Sequence, residues 1–155
     1  MSPSSSSLTS TGFPEREFVA VKNFLLNSTV PLIYEKGDVV GIQGTGCLFD
    51  LNGTLFFVTA GHVLEHVDPH ALGVPLRKLD STVFTLGPGI VGWSRQDEFD
   101  VAVYRIDDPE VITQLRQSYV VLGEANIKLG TSHNDHYVIP GYPAATISRH
   151  DSHLK

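Results

Sequence analysis

The sequence predicts an all-β fold, and three observations carry that prediction. The apolar runs are short, they are rich in β-branched and aromatic residues, and turn-forming residues separate them at near-regular spacing. Of the 155 residues, 14 are Gly and 9 are Pro, and most fall at the ends of apolar runs. That distribution belongs to many short strands rather than to long helices. Hydrophobic residues make up 41%, enough for a core, and charged residues only 18%, below the usual quarter or so and in keeping with a compact, turn-rich domain. The length is that of one domain. Periodicity alone leaves a barrel and a sandwich both open.

Residues 1–14 carry four consecutive serines between Pro3 and Pro14, cannot bury apolar surface, and are expected to form a disordered tail. Glu15–Leu26 places Phe18, Val21, Phe24 and Leu25 at helical spacing after a proline and two acids, which predicts a short helix within the segment 15–28. The period then changes. Strands are predicted over Thr29–Tyr34, Val39–Ile42 and Gly46–Leu51, with Gly44 as a break. Asn52-Gly53 between two apolar runs is a type I′ hairpin signal, so Cys47–Thr59 reads as a tight antiparallel hairpin. A short helical stretch past His62 ends near Pro69, and residues 69–80 read as a surface loop. Thr82–Leu86, Ile90–Trp93 and Val101–Ile106 are further strands, separated by turn sequences at Gly87-Pro88-Gly89 and Arg95–Glu98. Glu110–Gln117 reads as one or two helical turns, Tyr119–Leu122 and Tyr137–Pro140 as strands, Gly141-Tyr142-Pro143 as a turn, and Thr146–Lys155 as a polar tail.

The net charge of −6 and the lack of any Lys/Arg cluster argue against a nucleic-acid or anionic-membrane surface, since phosphates are met by clustered basic groups. Cys47 is the single cysteine, so no internal disulfide forms. With no basic start and no apolar run in residues 1–11, and no stretch long enough for a membrane span, a cytoplasmic location is expected. The triplets at Asn27 and Asn52 are then inert as glycosylation sites.

The sharpest motif is Leu55-Phe56-Phe57-Val58-Thr59-Ala60-Gly61-His62-Val63. An apolar strand ends in two tiny residues, which permit a tight turn, and a histidine follows at once. Upstream lies Gly44-Thr45-Gly46-Cys47-Leu48-Phe49, and downstream Phe99-Asp100-Val101-Ala102-Val103, an aspartate opening an apolar strand. An aspartate drawn toward the interior needs hydrogen-bond donors, and an imidazole Nδ1–H is a fitting one. Together these segments resemble the catalytic histidine and aspartate regions of trypsin-like (chymotrypsin-fold) serine peptidases, closest to the intracellular bacterial type.

The resemblance runs from about Thr29 to Pro143. It implies an antiparallel β-barrel of the chymotrypsin type with short helices, in which 29–135 form the first protease-like barrel and 136–155 begin a truncated second one. It implies a serine endopeptidase domain with His62 as base and Asp100 as its orienter, no metal and no cofactor, and a protein or peptide substrate. The nucleophile does not appear. Serine should follow the aspartate by about ninety residues, and Ser118, Ser132, Ser148 and Ser152 all lack a Gly-x-Ser-Gly setting. The chain is therefore expected to be inactive alone.

Two other functions are weighed against this one. A natural protease-like half-barrel could serve as a binding or self-assembling module, since a lone first barrel would expose apolar surface and associate with itself or a partner. A zinc peptidase could use His62-Val63-Leu64-Glu65-His66, the inverted zincin pattern, but Pro69 cuts short the helix it requires. Cys47, Trp93, Phe56 and Phe57 are assigned to the core. His66 and His70, with His133, His136, His150 and His153, read as exposed loop, helix or tail residues.

Overall fold

The computed structural model describes residues 14–65, 67–78, 82–96, 99–127, 140–142 and 145–148. It is mostly antiparallel β-sheet with two short helices. The elements are α1 (Glu15–Ser28), β1 (Val30–Lys36), β2 (Val39–Leu51), β3 (Thr54–Thr59), β4 (Leu72–Pro75), β5 (Val83–Thr85), β6 (Ile90–Gln96), β7 (Phe99–Ile106), α2 (Pro109–Ser118) and β8 (Ala145–Ser148). The sheet order is β5-β4-β1-β2-β3-β7-β6, with β8 added beside β2. The run β4-β1-β2-β3 follows a Greek-key course.

The curl of this sheet follows from one short connection. β5 and β6 stand at opposite ends of the order, yet only residues 86–89 join them. Five Cα steps reach at most about 18 Å. Seven flat strands would hold their outer members about 29 Å apart. The sheet must therefore bend into a half-barrel, and the core fills its concave side: Val30, Leu32, Leu48, Leu55, Phe57, Leu72, Val74, Ala102, Tyr104 and Ile106 are all within 1% of complete burial. Leu115 of α2 is equally buried.

Local chemistry explains most elements. Asn52 (φ 52°) and Gly53 (φ 82°) adopt the left-handed conformations of a type I′ turn, and register runs from Gly46 opposite Thr59 to Leu51 opposite Thr54, as the hairpin motif predicts. The Asp108 carboxylate caps α2 by accepting from the backbone N–H of Glu110 and Val111, with Pro109 in the first turn. The helix predicted from Glu15 to Leu26 forms and runs two residues further, to Ser28.

Several expectations change. Gly44 does not break a strand, because β2 runs unbroken for 13 residues. Its pairing with β1 instead shifts register, Leu32 facing Gly44 and Ile33 facing Ile42, so Gln43 is the extra residue of a bulge. The supposed loop 69–80 contains β4, every residue of which is buried between β1 and β5. Pro75 disguised that strand, and an all-apolar run shows no alternation. The supposed polar tail from Thr146 begins inside β8, which pairs Ala145–Ser148 with Val39–Ile42 of β2. Tyr119–Leu122 makes one isolated parallel bridge, Leu122 to Phe49, rather than a strand. Trp93 is 54% exposed and not a core residue, whereas Phe57 is fully buried and Phe56 half-buried. Residues 137–139 of the strand expected over Tyr137–Pro140, residues 1–13 of the expected tail 1–14, and His66, Ser132, His133, His136, His150, Ser152 and His153 lie outside the described residues.

One surface contact makes a testable claim about pH. Arg116 of α2 is paired with Asp50 at the end of β2, and the guanidinium, helped by the Gly53 N–H, holds the Asp50 carboxyl below its ordinary value. A carboxyl depressed in the folded state stabilises the fold above its unfolded value of about 3.9, and that contribution disappears as pH falls through the folded value. Stability will therefore drop as pH is lowered from about 4, by a small amount because the pair is exposed. Asp50→Asn will flatten part of that acid limb in urea midpoints. An acid limb identical to wild type would remove the claim.

Candidate active site

The site sits where three pieces of chain meet at the rim of the half-barrel. β3 ends at Thr59, and residues Gly61–Leu64 form a 3-10 turn that carries His62. The turn is fixed from below by β2. The Gln43 side chain, turned out at the bulge, donates to the Val63 carbonyl at 3.3 Å. Gly44 leaves room for Val63, since a Cβ there would lie 2.8 Å from Val63 Cγ1. The Thr59 hydroxyl donates to the Thr45 carbonyl at 2.8 Å, which ties the end of β3 to β2 just before the turn.

β7 supplies Asp100. Alternation puts Asp100, Ala102, Tyr104 and Ile106 on one face of the strand, and the last three are buried. Asp100 lies on the core-facing side but beyond the core's edge, so it is exposed rather than drawn into the interior as expected. Its side chain is 44% accessible and that of His62 58%. The two meet closely. His62 Nδ1 is 2.5 Å from Asp100 Oδ2, and the His62 backbone N–H donates to Asp100 Oδ1 at 2.7 Å. The hydrogen bond from the His62 ring holds the Asp100 carboxyl below its ordinary value, aided by the backbone N–H groups of His62 and Gly61 against some desolvation. A carboxylate only accepts, so Nδ1 carries the proton and Nε2 is left as the basic nitrogen. An imidazole held in this way and left accessible has the geometry that general-base chemistry requires.

β6 contributes a residue that motif reading misplaced. The Trp93 indole N–H donates to the Gly61 carbonyl at 2.9 Å. No local sequence signal marks it, because its placement depends on β6 pairing with β7, Trp93 opposite Ala102. Gly61 itself is required by close approach. A Cβ there would lie 2.4 Å from Ser94 O, 3.0 Å from Asp100 Oδ1 and 3.1 Å from Trp93 Nε1. Gly61→Ala should therefore cost about 1–3 kcal/mol of stability and part His62 from Asp100. Urea unfolding and the His62 ring resonances measure both, and a variant matching wild type in each would contradict the packing described.

The other candidates lie apart or lie differently. Ser118 ends α2, and Ser148 is in β8. His70 lies in a separate 3-10 turn, its backbone N–H donating to Asp68. Cys47 is half-buried in β2, and burial pushes its thiol up, which keeps it protonated and unreactive at neutral pH. The inverted zincin pattern does not form an α-helix over its described residues: the 3-10 turn ends at Leu64 and Glu65 is extended, so the shared helical face needed for zinc is missing. Among the described residues no cluster of three or more His, Cys, Asp or Glu could hold a metal ion, and no helix is long and apolar enough to cross a membrane. The chain matches no protein-family model, no curated protein and no solved structure.

Proposed function

We propose that this chain carries the base-and-orienter half of a trypsin-like (chymotrypsin-fold) serine endopeptidase, whose reaction is peptide-bond hydrolysis. The observation that carries the proposal is the 2.5 Å contact between His62 Nδ1 and Asp100 Oδ2 at the rim of a curled antiparallel sheet. In such a site the aspartate fixes the ring's tautomer and stabilises the imidazolium. Nε2 takes the proton of a serine hydroxyl as its oxygen attacks the scissile carbonyl, then returns it to the leaving amine. The chain order, histidine before aspartate, is that of the chymotrypsin type, in which serine comes last. A serine in a Gly-x-Ser-Gly turn, with its oxyanion-stabilising N–H groups, would have to come from outside these 155 residues. Protein or peptide would be the substrate, and no cofactor enters the chemistry.

The test is to express the natural reading frame as it continues in the source and to react the product with a fluorophosphonate serine-hydrolase probe. Labelling of a downstream serine, lost in His62→Ala, is the expected result. A native protein that ends near Lys155 and takes no label would overturn it.

A second reading, a protease-like half-barrel acting as a binding or self-assembling module, rests on a separate observation. α1 exposes Phe18, Val19, Val21, Phe24 and Leu26, and the rim exposes Trp93 and Phe99. Apolar surface of this extent favours association. Sedimentation velocity should show mass rising with concentration; a clean monomer throughout would count against this reading.

A further inference from the structure

We infer that Trp93 is a positioning residue for His62, acting through the Gly61–His62 peptide bond. The inference rests on the His62–Asp100 reading and deepens it. The peptide that joins Gly61 to His62 is held at both ends: its carbonyl accepts from Trp93 Nε1 at 2.9 Å, and its N–H donates to Asp100 Oδ1 at 2.7 Å. Carbonyl and N–H point to opposite sides of a planar group. Two anchors on opposite sides therefore fix the plane's tilt, which one alone would leave free to swing. That tilt sets the direction in which the His62 side chain leaves the backbone, and so the distance from Nδ1 to Asp100 Oδ2.

Both anchors belong to one rigid piece. Trp93 lies on β6 and Asp100 on β7, and the two strands pair with Trp93 opposite Ala102 and Arg95 opposite Asp100. The β6–β7 pair thus grips the turn like a clasp, and Gly61 fits between its arms because it has no side chain. Burial does not account for the position of Trp93. The residue is 54% exposed, and a tryptophan left this open is held by its polar N–H rather than by apolar packing.

The test uses the chain as it is. The His62 Nδ1–H proton is observed by NMR and assigned by its loss in His62→Ala. Trp93→Phe keeps a ring and removes the donor, and replacement of Trp93 by benzothienylalanine keeps the indole shape while removing only the N–H. Each should retain a dispersed amide spectrum while the Nδ1–H exchanges with water at least about tenfold faster, since a hydrogen bond of ordinary worth is being lost. In the serine-bearing form, kcat should fall with little change in KM. An unchanged Nδ1–H exchange rate in either folded variant overturns the role of Trp93. Wild type gives a check that needs no folded variant: Trp93 is the only tryptophan, so its single indole N–H signal must exchange slowly, and exchange at the rate of free indole overturns the inference as well. A Nδ1–H signal that survives Asp100→Asn would instead refute the His62–Asp100 reading itself, whatever Trp93 does.

Discussion

On the proposed function, Asp100→Asn will lower turnover of a serine-bearing form by about 10⁴-fold while leaving the fold intact, and the geometry explains why so small a change would do so much. The two carboxylate oxygens have separate duties: Oδ1 accepts from the His62 backbone N–H, and Oδ2 faces the His62 ring. Asparagine has one oxygen and one NH₂. If its oxygen serves the backbone, the NH₂ meets Nδ1, which must then become an acceptor. The ring proton moves to Nε2, and the base is lost. If the amide flips, the NH₂ opposes the backbone donor instead, and that N–H goes unpaired. The first arrangement wins because it leaves every donor with an acceptor. Nitrogen chemical shifts of His62 in the present chain will show the proton moved from Nδ1 to Nε2. A variant that keeps the proton on Nδ1, or whose serine-bearing form retains turnover within tenfold of wild type, would sink the assignment.

Phe57→Ala will cost about 3–5 kcal/mol of stability, the largest structural effect foreseen. Phe57 is fully buried, faces Leu48 across the hairpin, and lies against the Tyr104 ring at a centroid distance of 6.3 Å and a tilt of 52°. Its ring also fills the space above Gly46, where a Cβ would come within 2.3 Å of Phe57 Cζ. Gly46→Ala is accordingly damaging through overpacking, by about 1–3 kcal/mol. The two changes should not add. Removing the Phe57 ring relieves one clash of an alanine at 46, although the approach to Val58 O at 2.5 Å remains. Urea midpoints for the two single variants and the double variant close the cycle. Strict additivity would mean that Gly46 and Phe57 do not share this space.

How much of this was readable beforehand depended on whether a feature is local. The Asn52-Gly53 turn and the helices read over Glu15–Leu26 and Glu110–Gln117 follow from neighbouring residues, and the chain alone predicts them. The juxtaposition of His62 and Asp100 is not local: it was expected from the resemblance of their two motifs, and it forms because β3 and β7 pair, Thr59 facing Ala102. Features that depend on distant partners were not readable. β4 is buried on both sides and so lacks alternation. β8 is polar in sequence and is a strand because β2 offers it an unpaired edge. Trp93 reads as core by residue type, but only the position of Gly61 across the fold tells that its indole N–H has a partner at the rim. The exposure of Asp100 depends on where the core ends along β7, and the strand's own pattern does not mark that point.

The pairing of β8 with β2 has a consequence in time. On the ribosome, Val39–Ile42 emerges early, and its partner on that side, Ala145–Ser148, follows more than a hundred residues later. At typical synthesis rates of 5–20 residues per second, that stretch of β2 waits roughly 5–20 s before its partner exists. Throughout that interval its unsatisfied backbone groups are a template for any extended strand nearby, including the same segment on a neighbouring nascent chain. Slower translation across the second half of the message would lengthen the exposure. The yield of correctly folded protein should therefore depend on translation speed downstream of β2 and on the strand-shielding chaperones present during synthesis.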